Sequence, residues 1–134
     1  MGIEMAQAMP SVDVVTLPGY PALKMIWQKQ INKTDMKPAF HQITEALRRS
    51  RSPMYVVVDL RQDPQLPIAE TMMEALRGPF RHPQLAEWLV FGANRSARTI
   101  GAILIRASKR NNIRWFDTED EVLAYLNAVK NDRP

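Results

Sequence analysis

Seven consecutive residues, MYVVVDL at 54–60, constrain the fold more than any other stretch of this chain. A strand with one face in water alternates apolar and polar side chains, and this one does not alternate before Asp59. Tyr55, Val56, Val57 and Val58 therefore call for apolar cover on both faces. A mostly parallel sheet packed between helices supplies that cover.

The flanking sequence carries the helices such a strand needs. VDVVTL (12–17) and ALKMIWQKQI (22–31) read as an antiparallel strand pair joined through PGYP. In NKTDMKPAFHQITEALRRSR (32–51), Thr34 or Asp35 is the expected cap, and Pro38 falls in the first turn, where a missing N–H costs little. Met36, Phe40, Ile43 and Leu47 make one apolar stripe there, with Arg48, Arg49 and Arg51 at the C-terminal end and Pro53 as the stop. Pro67 opens a second helix, IAETMMEALR (68–77), and Gly78-Pro79 closes it.

WLVFGA (88–93) and NIRWF (112–116) read as further strands. TIGAILI, between them, is a strand by composition alone. At 100° per residue, however, Arg95, Arg98, Arg106 and Lys109 gather opposite Ala97, Ile100, Gly101 and Leu104, with Asn94 as a ready cap. The projection predicts a helix. In DTEDEVLAYLNAVK, Thr118 and Glu121 form a capping box, and Val122, Leu126 and Val129 supply the stripe of a last helix. The order β-β-α-β-α-β-α-β-α predicts an α/β domain with a mixed, mostly parallel five-stranded sheet and helices on both faces. A single domain over 11–130 is expected, with short tails at 1–10 and 131–134.

A chain of 134 residues buries enough surface for one core without staples. With no cysteine, disulfides, thiolate metal sites and cysteine nucleophiles are excluded, and a reducing cytoplasm is the expected location. MGIEMAQAMPSVD lacks the features of a secretory or myristoylation signal, and no apolar segment is long enough to span a bilayer.

The order of elements, with DMKPAF at a helix start, VVVDLR at a strand end, WLVFGAN and RWFDTEDEVLAYL, resembles the STAS fold of anti-sigma-factor antagonists. The likeness covers roughly residues 22–127 and is closest to the SpoIIAA-like branch grouped with lipid-binding Sec14-type domains. It implies a regulatory module that docks on partners rather than an enzyme. In the antagonists a serine near the start of the helix after the third strand is phosphorylated. Here RQDPQLPIAETMM has no serine, Ile68 stands near that position, and Thr71 is the nearest hydroxyl. The phosphoswitch is therefore not expected, and the Thr71 hydroxyl is read as bonding the backbone of its own helix.

No catalytic, cofactor or metal constellation can be assembled. A phosphoryl-accepting Asp59 needs further carboxylates at the end of the first strand, and VVTLPGY offers none. Asp59 is instead expected to anchor the turn into RQD. His41 and His82 are not a close-spaced ligand pair, GAN is not a phosphate loop, and Ser96 lacks the G-x-S-x-G context.

Charge is the informative feature. Between Arg77 and Arg114 eight basic residues face one acid, Glu87, a local net of +7 against −3 for the rest of the chain. Arg95 and Arg98 at a helix start form a candidate anion site, although carboxylates elsewhere in the fold would pair with them equally well. Met72 and Met73, being adjacent, point about 100° apart; a wide apolar stripe packed fully on the sheet is the expectation for this helix, with one methionine partly exposed as an adaptable contact the alternative. The expected contact surface for a protein partner or a second copy comprises Met72, Met73, Arg77, Arg81, Arg95 and Arg98. An anionic lipid or phosphate is the alternative ligand. Nucleic acid is disfavoured because aromatics are not interleaved with these arginines.

Overall fold

The computed structural model describes residues 10–131; the expected tails at 1–10 and 131–134 lie outside that range except for Pro10 and Asn131. β1 (Val12–Thr16) turns back antiparallel on β2 (Ala22–Trp27). The turn is built from Leu17 to Tyr20: Tyr20 N–H donates to Leu17 O at 3.2 Å, Pro18 fills the second position, and Gly19 takes φ +87° at the third. β3 (Met54–Asp59), β4 (Leu85–Phe91) and β5 (Ile113–Phe116) then add in parallel. Four helices accompany them: α1 (Met36–Arg49), α2 (Ile68–Arg77), α3 (Arg95–Ser108) and α4 (Glu119–Asn131). The sheet is thus five-stranded and mixed, with one antiparallel pair.

Strand order in the sheet follows chain order, β1-β2-β3-β4-β5, so each crossover steps in the same direction. Right-handed crossovers in that order place their helices on one side. The packing agrees. Met25, Val56, Val58, Trp88 and Val90 share one core with Phe40, Ile43 and Leu47 of α1, Ala75 of α2, and Ile100 and Leu104 of α3. Alternate strand residues, Ala22, Tyr55, Val57, Leu89 and Phe91, meet Val122 and Leu126 of α4 on the other face, with Leu123, Tyr125 and Val129 packed alongside. Both faces of MYVVVD are covered, as its composition demands. Among the described strands the order never reverses, so they form no crevice of the kind that a topological switch point opens in doubly wound folds.

Local differences from the sequence reading have simple causes. β2 ends at Trp27, not at residue 31, because its partner β1 begins at Val12; one last bond, Gln28 N–H to Ser11 O at 2.8 Å, closes the pair. Neither Thr34 nor Asp35 caps α1 through its side chain. Asn32 instead caps a 3-10 turn at Lys33–Asp35, and the Asp35 carboxylate accepts from Ser11 N–H (2.8 Å) and Ser11 Oγ (2.7 Å). Those two donors hold the Asp35 carboxyl below its ordinary pKa. β4 begins three residues early because Met54 and Tyr55 pair with Leu85 and Glu87 across a register shift. The α3 cap and the α4 capping box stand where expected: Asn94 Oδ1 accepts from Ala97 N–H at 3.0 Å, and Thr118 and Glu121 bond reciprocally.

Candidate functional site

Three places bring chemistry-bearing groups together. The first is the end of β3. Asp59 is buried and accepts from Arg61 N–H at 3.1 Å, so it anchors the turn as expected. The structure adds partners that the sequence did not reveal. Arg61 Nε and Nη2 reach the Asp59 carboxylate at 3.0 and 2.9 Å, and Lys24 Nζ stands 3.8 Å away. Glu119 at the start of α4 takes Lys24 Nζ at 2.5 Å and Arg61 Nη2 at 2.8 Å. Two cations and two carboxylates thus tie β2, β3 and α4 together.

Two members of this network, Glu119 and Arg61, are shifted by their partners. Hydrogen bonds from Lys24 and then Arg61 hold the Glu119 carboxyl below its ordinary value, and Asp59 followed by Glu119 raises the Arg61 guanidinium. Every carboxylate here faces cations, and among the described residues no group of three His, Cys, Asp or Glu side chains converges as a metal site would need. The arrangement suits a clamp that holds the start of α4 against β2 and β3. Asp59→Ala is expected to lower the unfolding free energy by about 2 kcal/mol, the worth of a buried hydrogen-bonded charge whose cations keep Glu119. Urea denaturation checks this; a loss under about 0.5 kcal/mol contradicts the clamp.

The second place is the outer surface of α2, the 3-10 turn Pro79–Arg81 and α3. Met72 is half-buried against the core while Met73 is 46% exposed, so the apolar stripe of α2 is not fully packed on the sheet: adjacent side chains diverge too far for both to reach it. Ile68 on α2 and Ile103 on α3 are also exposed large apolar residues. Around them stand Arg77, Arg81, Arg95, Arg98, Arg106 and Lys109, all exposed. None of these six forms an ion pair among the described residues, where the ion-paired cations are Lys24, Lys33, Arg48, Arg61 and Arg114.

Two members of the basic stretch serve the fold instead. The Arg110 guanidinium donates to the carbonyls of Phe80, His82 and Leu85 at 3.1–3.2 Å, clasping the turn before β4. Arg114 pairs with Glu87, which also accepts from the Tyr125 hydroxyl. Burial, and then Glu87, push the Tyr125 phenol up to about 12.

The helix start at Arg95 and Arg98 differs from the open anion site that the sequence allows. Asn94 already occupies the Ala97 N–H, and its amide nitrogen donates to the Asp63 carboxylate at 2.9 Å and to Pro64 O at 2.7 Å. An acid therefore already stands beside the cap. Arg98 turns to the Trp115 ring, 4.8 Å from its centroid, a cation–π contact. The two arginines add to a broad basic face without converging on free N–H groups.

The third place is inside the core. A cavity of about 70 Å³ lies between the sheet and helices α1 to α3, lined by residues such as Met25, Phe40, Val58, Phe80, Ile100 and Leu104. Three of its lining residues, Trp27, Thr71 and Trp88, carry buried polar atoms without a hydrogen-bond partner: the two indole Nε1 atoms and Thr71 Oγ1. This corrects the reading of Thr71, whose hydroxyl does not bond its helix backbone; only its amide does, to Pro67 O at 2.9 Å. Each unpaired buried donor costs about 1–3 kcal/mol. A wider cleft of about 420 Å³ between the hairpin turn and α4, lined by Tyr20, Tyr55 and Leu126 among others, holds Lys130, whose ammonium donates to Gly19 O at 2.9 Å.

Neither a protein-family model nor a curated protein matches this chain. The sequence located the basic face and its methionines. It missed Lys24 and Glu119, although a lysine inside the apolar run ALKMIW is itself a signal that a strand carries an inward charge needing a partner. It also missed the cavity, which no local pattern encodes.

Proposed function

We propose that this protein is a non-enzymatic docking module and that its contact surface is the outer face of α2 and α3. The observation that carries this reading is the set of six exposed cations without ion pairs around the exposed Ile68, Met73 and Ile103. Unpaired charge of one sign steers an oppositely charged surface, and apolar side chains among it supply contact area that water would otherwise cover. Methionine adapts its shape to a partner without strain. The partner is thus an acidic protein surface with apolar residues of its own. The likeness to STAS domains, which dock on partners, points the same way, and the missing serine removes the usual means of switching that docking.

Reversing charge at α3 tests the reading. Arg95→Glu/Arg98→Glu is expected to lose at least tenfold in capture of proteins from native lysate, with the wild-type capture weakening as salt rises. An unchanged captured set contradicts the surface.

A second reading has one observation in its favour: Arg98 lies over the half-buried Trp115, the pairing of cation and aromatic found where proteins meet membrane surfaces. In that reading the same face engages anionic headgroups. Flotation with phosphatidylserine vesicles decides it, since headgroup binding falls between low and high salt and its absence at low salt removes the reading.

A further inference from the structure

We propose that the core cavity is a binding site for a small, wholly apolar molecule, such as a short hydrocarbon. The inference is independent of the docking surface. It starts from the wall, which is almost entirely apolar, with Met25, Val58, Ile100 and Leu104 among its side chains. Among the described residues no charged side chain lines it. The unpaired polar atoms of Trp27, Thr71 and Trp88 present no surface that water can touch, so they offer the void nothing to bond. A buried water needs two to four polar partners, and this wall does not supply them. The void is therefore dry. An apolar occupant gains most by filling it, because it restores the dispersion contacts that the lining side chains forfeit.

Size narrows the class further. A dry apolar cavity of roughly 150 Å³ admits a benzene ring, so one of about 70 Å³ suits a ligand of about three or four heavy atoms. Protein interiors leave few voids larger than a water molecule, and flexible methionines fill irregular gaps. This void persists even though Met25, 1% exposed, lines it. It lies where α1, α2 and α3 meet one sheet face, with Phe40, Ala75 and Ile100 contributed by the respective helices. Collapsing it would require these helices to move together, whereas a ligand fills it without moving them.

The way in is past Trp115. This residue is half-buried, lines the cavity, and packs so closely on Gly101 that a Cβ there would meet its ring at 2.6 Å. Glycine inside a helix is less stable than alanine, so its place within α3 reflects the room this ring takes. Exposed Arg98 lies over the same ring. Entry thus needs the displacement of one side chain that already borders solvent.

The experiment titrates the full chain with propane and with ethanol, which match in heavy-atom count but differ in that ethanol carries a hydroxyl. Methyl signals in ¹H–¹³C spectra report the site. Propane is expected to move Val58, Ile100 and Leu104 saturably and to leave Val122 and Leu126, on the other sheet face, unmoved. It is expected to bind about tenfold more tightly than ethanol, whose hydroxyl would lose its water partners inside. Ala75→Val and Ala97→Val narrow the void from two different helices. Either variant, where its spectrum stays native, is expected to weaken propane about fivefold. Shifts that grow without saturating, equal affinity for ethanol, or shifts spread evenly over both faces overturn the proposal. So does undiminished propane binding in a natively folded variant.

Discussion

Replacing Phe80 with alanine is expected to lower the unfolding free energy by about 4 kcal/mol. Phe80 is wholly buried, stacks on Trp88, and forms part of the wall around the core cavity. Truncating a buried phenylalanine removes its transfer free energy and leaves a void, together about 3–5 kcal/mol. Here the site collapses poorly. A cavity already adjoins it, and the backbone on either side is pinned, at Pro79 by the 3-10 turn and at the Phe80 carbonyl by Arg110. A domain of this size holds about 5–15 kcal/mol in all, so the variant is expected to sit near the edge of folding. Urea denaturation measures the loss, and a value below about 2 kcal/mol contradicts the packing described. Phe80→Leu, which refills most of the volume, should recover more than half of it.

The second large effect is expected at Gly92, in the turn between β4 and α3. Its φ is +73°, and a Cβ there would lie 3.0 Å from Arg61 N and 3.1 Å from Arg61 Cα. The atoms in the way are backbone, fixed by the Leu60 N–H bond to Phe91 O at 3.1 Å and by the Asp59 turn. Gly92→Val therefore combines a left-handed β-branched residue with a contact that cannot relax, about 3 kcal/mol together. Gly19 is the internal control, with φ +87° and open space around its missing Cβ. Gly19→Ala is expected to cost only about 1 kcal/mol, the conformational term alone. Equal losses at the two glycines would show that the close approach to Arg61 contributes nothing.

How much of this was legible in the residues depends on how far apart the cooperating groups lie. Asn94 and the Thr118–Glu121 box act within four residues, so their roles can be read directly. The same is true of the opposed faces of α3, where helical projection rightly outweighed the strand-like composition of TIGAILI. Asp35 shows the limit: it has the chemistry of a cap, yet Ser11, twenty-four residues away, claims its carboxylate. Lys24 and Glu119 are ninety-five positions apart and meet only because the β2–β3 register and the start of α4 bring them to Asp59. Arg110 is one basic residue among eight between Arg77 and Arg114, and its use on three carbonyls depends on the path of the Phe80–Leu85 turn. The cavity depends on how three helices fill one sheet face, which no pattern along the chain states.

That docking occurs on the α2–α3 face is most directly tested by site-specific photo-crosslinking in cells. A benzophenone side chain placed at exposed Met73 reports contact on α2, and the same group at exposed Ala124 reports contact on α4, across the sheet. The docking reading predicts a crosslinked product of defined mass at Met73, lost in the Arg95→Glu/Arg98→Glu background, and none at Ala124. A product at Ala124 with none at Met73 would place the contact on the opposite side of the molecule and contradict it.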